Sequence, residues 1–209
     1  MPGTLFIISA ASGTGKTTLV RKLCAEVPDL QVSISYTTRP QRTGEVEGVD
    51  YFFVSEERFS EMVNENAFLE HEIVFSYRYG TPRAWVESQM NNGKDIILEI
   101  DWQGARDIKA LFPDCVSIFI LPPSLEELEK RLRLRKREDA ATIQERLDAA
   151  LEEISHYELF DYLVMNDCLE KALAELTDLI RSTRKNERYR GPDHLDLARQ
   201  LMTEGDDIQ

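Results

Sequence analysis

The most constraining stretch of this chain is residues 7–20, "IISAASGTGKTTLV". It passes from apolar residues into small residues and glycine, then into Lys16-Thr17-Thr18 and a second apolar series. Ahead of it, residues 4–9 form a short apolar run suited to a buried parallel strand. Behind it, Leu19, Val20, Leu23, Cys24 and Val27 fall at helical spacing, and Pro28 ends the series. A strand that feeds a helix through glycines turns successive backbone N–H groups and the helix N-terminus toward one point, which makes a phosphate site. Lys16 adds a charge at the β/γ end of a triphosphate, and Thr17 offers a hydroxyl to Mg²⁺. Nucleotide contacts are therefore expected along Ala11, Ser12, Gly13, Thr14, Gly15, Lys16, Thr17 and Thr18. The general GxxxxGK[ST] pattern opens with glycine, where this chain has Ala10. A position of negative φ accepts alanine, so the left-handed positions are expected at Gly13 or Gly15. A ligand-free glycine turn is the alternative, disfavoured by the Lys-Thr pair. The loop alone does not separate a motor, a switch and a kinase.

Further along, Leu30, Val32 and Ile34 alternate like a strand. From residue 35 to about 81 the texture changes: strand-like "YFFV" and "FLEHEIVF" flank a helix opening near Ser55 with Glu56 and Glu57 in its first turn. Thr81-Pro82 reads as an N-cap with proline at the first helical position, and Asn92-Gly93 ends that helix. "IILEID" is a central strand with acidic residues at its carboxyl end, and "VSIFILPP" and "YLVMN" are two more strands. "SLEE" at Ser124 and "TIQE" at Thr142 are capping-box patterns, and residues 169–186 form a long helix. Strand–helix repeats with an insertion at 35–81 imply an α/β protein with a mostly parallel central sheet covered on both faces.

The chain has 209 residues, 42% hydrophobic and 30% charged, enough for one large α/β domain with its own core. Its net charge of −13 argues against general binding to nucleic acid or anionic membranes. No apolar run reaches transmembrane length and no signal peptide opens the chain, so a cytoplasmic protein is expected. Cys24, Cys115 and Cys168 are far apart and in no metal-ligand spacing, which reads as reduced, buried thiols. His71, His156 and His194 show neither triad nor metal spacing.

The second functional constellation is "SYTTRPQRTGEVEGVDYFF". Arg39 and Arg42 stand close together in a loop with Pro40 and Gly44, and with the Tyr51 phenol they suit a compact dianion such as a phosphate monoester. Alternatively, both arginines are surface residues paired with Glu45 and Glu47. This segment, "FLEH", "YRYGT", "LEIDWQGA" and "HYELFDYLVMND" occur in the order and approximate spacing found in guanylate kinases, and "SAASGTGK" parallels the family's "SAPSGAGK". The chain resembles that family over about residues 3–190.

That resemblance implies a three-layer P-loop kinase fold in a single domain. Its core would be residues 1–34, 82–125 and 149–209, its GMP-binding segment 35–81 and its lid 126–148. It implies ATP and GMP or dGMP as substrates, with Mg²⁺ accompanying ATP, no nucleic-acid or membrane partner, and an oligomeric state left open. Ser35, Arg39, Arg42, Tyr51, Glu70, Tyr79, Thr81 and Asp101 would hold GMP: Arg39, Arg42, Tyr51 and Tyr79 on the phosphate, Glu70 on guanine N1–H and N2, Ser35 and Thr81 near O6. Asp101 would stand at the end of its strand near the transfer site, and Glu99 where many members have aspartate.

"KRLRLRKR" at residues 130–137 places six basic residues in eight. The plain reading is a solvated helix face balanced by Glu126, Glu127 and Glu129. In the family this is the lid. Arg131, Arg135 and Arg146 match its arginines best and Arg133 also matches in many bacterial members, while Leu134 and Lys136 replace two glycines of the usual hinge. Asn166 matches a position near the adenine. Lys16, Arg39, Arg135 and Arg146 would carry catalysis. Two alternatives stand beside this: a noncatalytic guanylate-kinase-like interaction module, and a kinase acting on another phosphorylated acceptor such as ribose 1,5-bisphosphate.

Overall fold

β1 (Leu5–Ala10) is the apolar run ahead of the glycine loop, buried along its length except at Ala10. α1 (Lys16–Glu26) follows, burying Leu19, Val20 and Leu23. The structure, a computed structural model, describes residues 2–74, 76–135 and 140–206. Beyond α1 come β2 (Leu30–Val32), β3 (Tyr36–Thr37), β4 (Phe52–Phe53), α2 (Glu56–Asn64), β5 (Phe68–Val74) and β6 (Tyr77–Pro82). Next are α3 (Arg83–Asn91), β7 (Asp95–Leu98), α4 (Trp102–Leu111), β8 (Val116–Leu121), α5 (Leu125–Arg135) and α6 (Ala140–Ser155). The chain closes with β9 (Tyr162–Met165), α7 (Leu169–Arg184) and α8 (Leu195–Asp206).

The larger sheet has strand order β2-β7-β1-β8-β9, and its described pairings are parallel. The fold is thus α/β with a mostly parallel central sheet. Two compact units divide the chain: residues 1–7 with 29–115, and residues 8–28 with 116–209. In the first, β7 pairs with β1 (Phe6 opposite Ile97) and with β2 (Gln31 opposite Ile96). Both faces of β7 are covered, so it reads as a continuous buried run, as parallel strands do. A second sheet in this unit, β4-β3-β6-β5, is antiparallel from β3 through β6 to β5. Phe59 and Met62 of α2 pack with Phe68 of β5 in a cluster of their own. In the second unit β8 pairs with β9 (Phe119 opposite Leu163), α7 packs on β9 and α1, and α8 packs on α5 and α6.

Several boundaries depart from the sequence reading. β2 stops at Val32, and Ser33 is the buried residue where alternation placed Ile34 inside. Pro82 ends β6 and is the N-cap of α3, with φ −67° and ψ 115°, so the helix starts at Arg83. Thr81 is spent elsewhere, as described below. Asp101 is not a strand end: β7 stops at Leu98, and the Asp101 carboxylate caps α4 by accepting from Gly104 N–H at 3.0 Å. Ser55 and Ser124 do cap α2 and α5. Thr142 does not open a helix, because α6 is helical from Ala140. Only Cys115 is buried; Cys24 and Cys168 are half-exposed, and all three are free thiols. α8 was not expected from the sequence. No helix among the described residues is long and apolar enough to cross a membrane.

Candidate active site

The donor half lies in the second unit. Ala10 ends β1 and is not among the residues of positive φ; those positions fall on Gly13 (φ 94°) and Gly15 (φ 100°). Space demands glycine there as well. A Cβ on Gly13 would stand 2.9 Å from Leu132 Cδ2, and one on Gly15 2.7 Å from Asn166 Nδ2. The loop is braced from within, where Thr14 is fully buried and its N–H donates to Ala11 O at 3.1 Å. It is also braced from outside, with Asn166 Nδ2 donating to Thr14 O at 2.6 Å and Arg131 Nη1 to the same oxygen at 3.4 Å. Gly15 is the N-cap of α1, with no side-chain cap and no acidic residue in the first turn. The amide end of this helix thus carries no side-chain cap, an arrangement that favours an anion there. Lys16 is half-buried at that end, and Thr17 and Thr18 are exposed. Ser12 differs from its neighbours: its N–H donates to a Glu153 carboxylate oxygen of α6 at 2.9 Å.

The basic face of α5 is partly the balanced surface that its charge pattern predicts. Lys130 lies 3.5 Å from Glu127, Arg131 Nε donates to Glu127 at 3.0 Å, and Arg133 pairs with Glu129. Arg131 alone of these also reaches the phosphate loop. Arg146 is half-buried on α6. The backbone of Arg135 ends α5, but its side chain and residues 136–139 lie outside the described residues.

The acceptor half lies in the first unit, on β3, β5, β6 and the loops beside them. Glu70 on β5 is 8% exposed, and the buried Thr81 hydroxyl of β6 donates to its Oε1. Burial pushes the Glu70 carboxyl up to about 7, the Thr81 hydrogen bond opposes that, and the charge of Asp101 adds to it. Gly104 lets α4 approach: a Cβ there would stand 3.0 Å from Glu70 Oε2. A hydroxyl has one proton to donate, so Thr81 orients the carboxylate here and does not stand ready for a guanine oxygen. Arg39 is 6% exposed and bound by the fork of Glu45, at 2.7 Å and 3.1 Å. Its guanidinium carbon lies 5.3 Å from the centre of the Tyr51 ring. Tyr51 and Tyr79 meet edge to face at 5.8 Å, and burial pushes the Tyr51 phenol up to about 12. Arg42 is exposed, and Ser35 is half-buried with its carbonyl accepting from Phe52 N–H at 2.9 Å.

The family model described as "Guanylate kinase" matches residues 3–183. The chain belongs to the guanylate kinase family. It is 54% identical to a guanylate kinase of Coxiella burnetii over 180 residues, 86% of this chain and 87% of that protein. With a guanylate kinase of Methylococcus capsulatus the identity is 50% over 190 residues, covering 91% and 93%. Among solved structures, a crystal structure of guanylate kinase from Anaplasma phagocytophilum superposes with a TM-score of 0.74 at 35% identity, covering 87% of this chain and 86% of that one.

Within this guanylate kinase family member, sequence reasoning missed three partners of the expected site residues. Gly104 carried no signal beyond being a glycine early in a helix. Glu153 on Ser12 is separated from it by 141 residues and left none. Glu45 was visible only as a charge balancing the arginines. The guanidinium that Glu45 balances is Arg39, one of the two expected from the sequence to meet a phosphate.

Proposed function

We propose that this chain transfers the γ-phosphate of ATP to GMP, and to dGMP, giving ADP with GDP or dGDP. The observation that carries the reading is Glu70, a buried carboxylate aligned by a hydroxyl in the same unit as Arg39 and its tyrosine cage. An ionised carboxylate accepts from two adjacent donors, which guanine presents at N1–H and the N2 amino group. Adenine presents an acceptor at N1 and would leave the buried carboxylate unpaired. Arg39, Arg42, Tyr51 and Tyr79 take the acceptor's phosphate, and Ser35 and Asp101 complete the acceptor side. Thr81 acts through Glu70.

On the donor side Lys16 and the loop amides not already bonded take the triphosphate, since Ser12 N–H donates to Glu153 and Thr14 N–H to Ala11 O. Arg131 and Arg146 add charge, as the family resemblance also implies for Arg135. Asn166 serves the loop by holding its backbone. Thr17 is exposed at the start of α1, and no group of three or more His, Cys, Asp or Glu side chains among the described residues could hold a metal. Such a donor set fits Mg²⁺ arriving on ATP, since this ion keeps few protein ligands and shares substrate phosphates. Held by the Thr17 hydroxyl, it would supply charge neutralisation to the triphosphate. A phosphate monoester has a second pKa of about 6 and is largely dianionic at neutral pH, so its oxygen attacks without a general base. The protein's work is then alignment and charge neutralisation. A cytoplasmic setting, where both nucleotides occur, fits this reading.

The competing readings find no such support. A scaffold has no use for a phosphate loop with both glycines, Lys16 and Thr17 intact, and a ribose bisphosphate offers Glu70 only the hydroxyls of its sugar, which carry no base edge to read. One coupled assay decides: Mg-ATP offered with GMP, dGMP, AMP, UMP and ribose 1,5-bisphosphate. GMP and dGMP should be phosphorylated with kcat/KM far above the others. Faster turnover of ribose 1,5-bisphosphate, or none with any acceptor, would overturn the proposal.

A further inference from the structure

Arg39 meets its site with most of its donors already committed. Nη1 donates to Pro40 O at 2.9 Å and to Glu45 Oε2 at 3.1 Å, and Nη2 donates to Glu45 Oε1 at 2.7 Å. A guanidinium carries five N–H donors in a rigid plane, so Nε–H and the second Nη2–H are left. Those two lie side by side on one edge, at the spacing that two phosphate oxygens take. The Tyr79 phenol interacts with the same guanidinium, and the rings of Tyr51 and Phe53 stand 5.3 and 5.7 Å from its carbon.

Glu45 is itself held independently of Arg39. Its Oε2 accepts from Arg42 N–H at 2.7 Å, and its own N–H donates to Arg42 O at 3.1 Å. That second bond closes a four-residue turn whose third position is Gly44, at φ 89°. Nothing lies within 4 Å of where a Gly44 Cβ would be, so glycine is required for the backbone angle and not for room. The turn thus delivers a carboxylate to one edge of the guanidinium and leaves the other edge, on the side of Tyr79, outside the carboxylate's grip.

We infer that Glu45 is a positioning residue for the acceptor's phosphate: its carboxylate grips one edge of Arg39 and so fixes the opposite edge, beside Tyr79, for the dianion. The inference rests on the proposed reading of this half as the GMP site. A carboxylate competing with the phosphate for Arg39 is the opposite idea. It is disfavoured because Glu45 and a phosphate draw on different donors, and because Arg42 N–H holds Glu45 whether or not Arg39 does. The Arg39 hydrogen bond also keeps the Glu45 carboxyl below the usual carboxylate range, so it is ionised throughout the working range of pH.

The test is calorimetric binding of GMP and of guanosine, which lacks the phosphate, to the parent, Glu45→Gln, Glu45→Asp, Arg39→Ala and the Arg39→Ala/Glu45→Gln pair. Losing the charged grip should weaken GMP roughly 10- to 100-fold in Glu45→Gln, the scale of a charge-assisted hydrogen bond. Guanosine and ATP affinities should stay within about twofold. Glu45→Asp, one methylene short, should fall between, and it decides the matter should Glu45→Gln fail to fold. With Arg39 already removed, Glu45→Gln should cost nothing further. Unchanged or tighter GMP binding, an equal loss for guanosine, or a full additional loss in the double variant would each overturn the inference. Failure of the parent itself to bind GMP would instead refute the proposed function.

Discussion

Glu70→Gln should lose base recognition and gain stability at once. If the carboxylate accepts from guanine N1–H and N2, the amide replaces one acceptor by an NH₂ facing another donor. A lost charge-assisted bond plus an unpaired buried donor costs roughly 2–4 kcal/mol, so kcat/KM for GMP and dGMP should fall about 30- to 1,000-fold. AMP, which gains nothing from the carboxylate, should lose far less. Stability moves the other way. The folded carboxyl titrates at about 7 against an ordinary 4.5, so the folded state holds a proton that the unfolded chain has released between those values. Stability from this group is complete below pH 4.5 and is lost as pH rises through 7. The difference corresponds to about 3 kcal/mol at pH 8, an upper figure because the Gln amide must itself find partners. In the absence of nucleotide, Glu70→Gln should therefore be more stable than the parent at pH 8 by up to about that much, and no more stable at pH 4.5. Urea unfolding at both pH values, beside kcat/KM for GMP and AMP, tests the two arms. A variant losing GMP and AMP activity equally, or less stable than the parent at pH 8, would refute the assignment of Glu70 as a strained base reader.

The same titration predicts that KM for GMP rises about tenfold per pH unit below 7 in the parent, while KM for ATP does not; Glu70→Gln separates this from the acceptor's own phosphate ionisation near pH 6. A GMP profile flat from pH 8 to 5.5 would count against it. Gly104→Ala puts a methyl 3.0 Å from Glu70 Oε2 and should raise KM for GMP about tenfold with ATP binding untouched, read from initial rates. Lys16→Ala should cost roughly 10²–10³ in kcat while GMP binding persists, since its charge serves the donor side. Gly15→Ala combines a φ of 100° with a Cβ 2.7 Å from Asn166 Nδ2, so transfer should drop by at least about 100-fold; activity within a few-fold of the parent would show that the loop tolerates both strains.

What could be read from the sequence was local. Leu5–Ala10, the glycine loop and Lys16–Glu26 follow from an apolar run, two residues free to take positive φ, and 3.6-residue spacing, none of which needs a distant partner. The Ser55 and Ser124 caps are equally short-range. α8 carried a signal too, with Asp193 accepting from Leu195 N–H and Ala198 and Leu201 fully buried, but it follows a loop of arginine, glycine and proline that resembles a tail. Motif order proposed the acceptor residues and their ligand contacts without saying which protein groups each one touches. Those contacts belong to tertiary structure alone. The Thr81 hydroxyl turns to Glu70 because β5 and β6 pair, and that contact, with the proline after it, moved the helix start to Arg83. Asp101 became a helix cap because β7 ends three residues earlier than its hydropathy suggests. The raised pKa of Glu70 requires β5, β6 and the first turn of α4 to shut water out together, and the edge of Arg39 that Glu45 holds depends on a turn bringing Glu45 around. Hydropathy and spacing describe each residue against its chain neighbours; ionisation and donor direction are set by whichever groups the fold brings within a few ångströms.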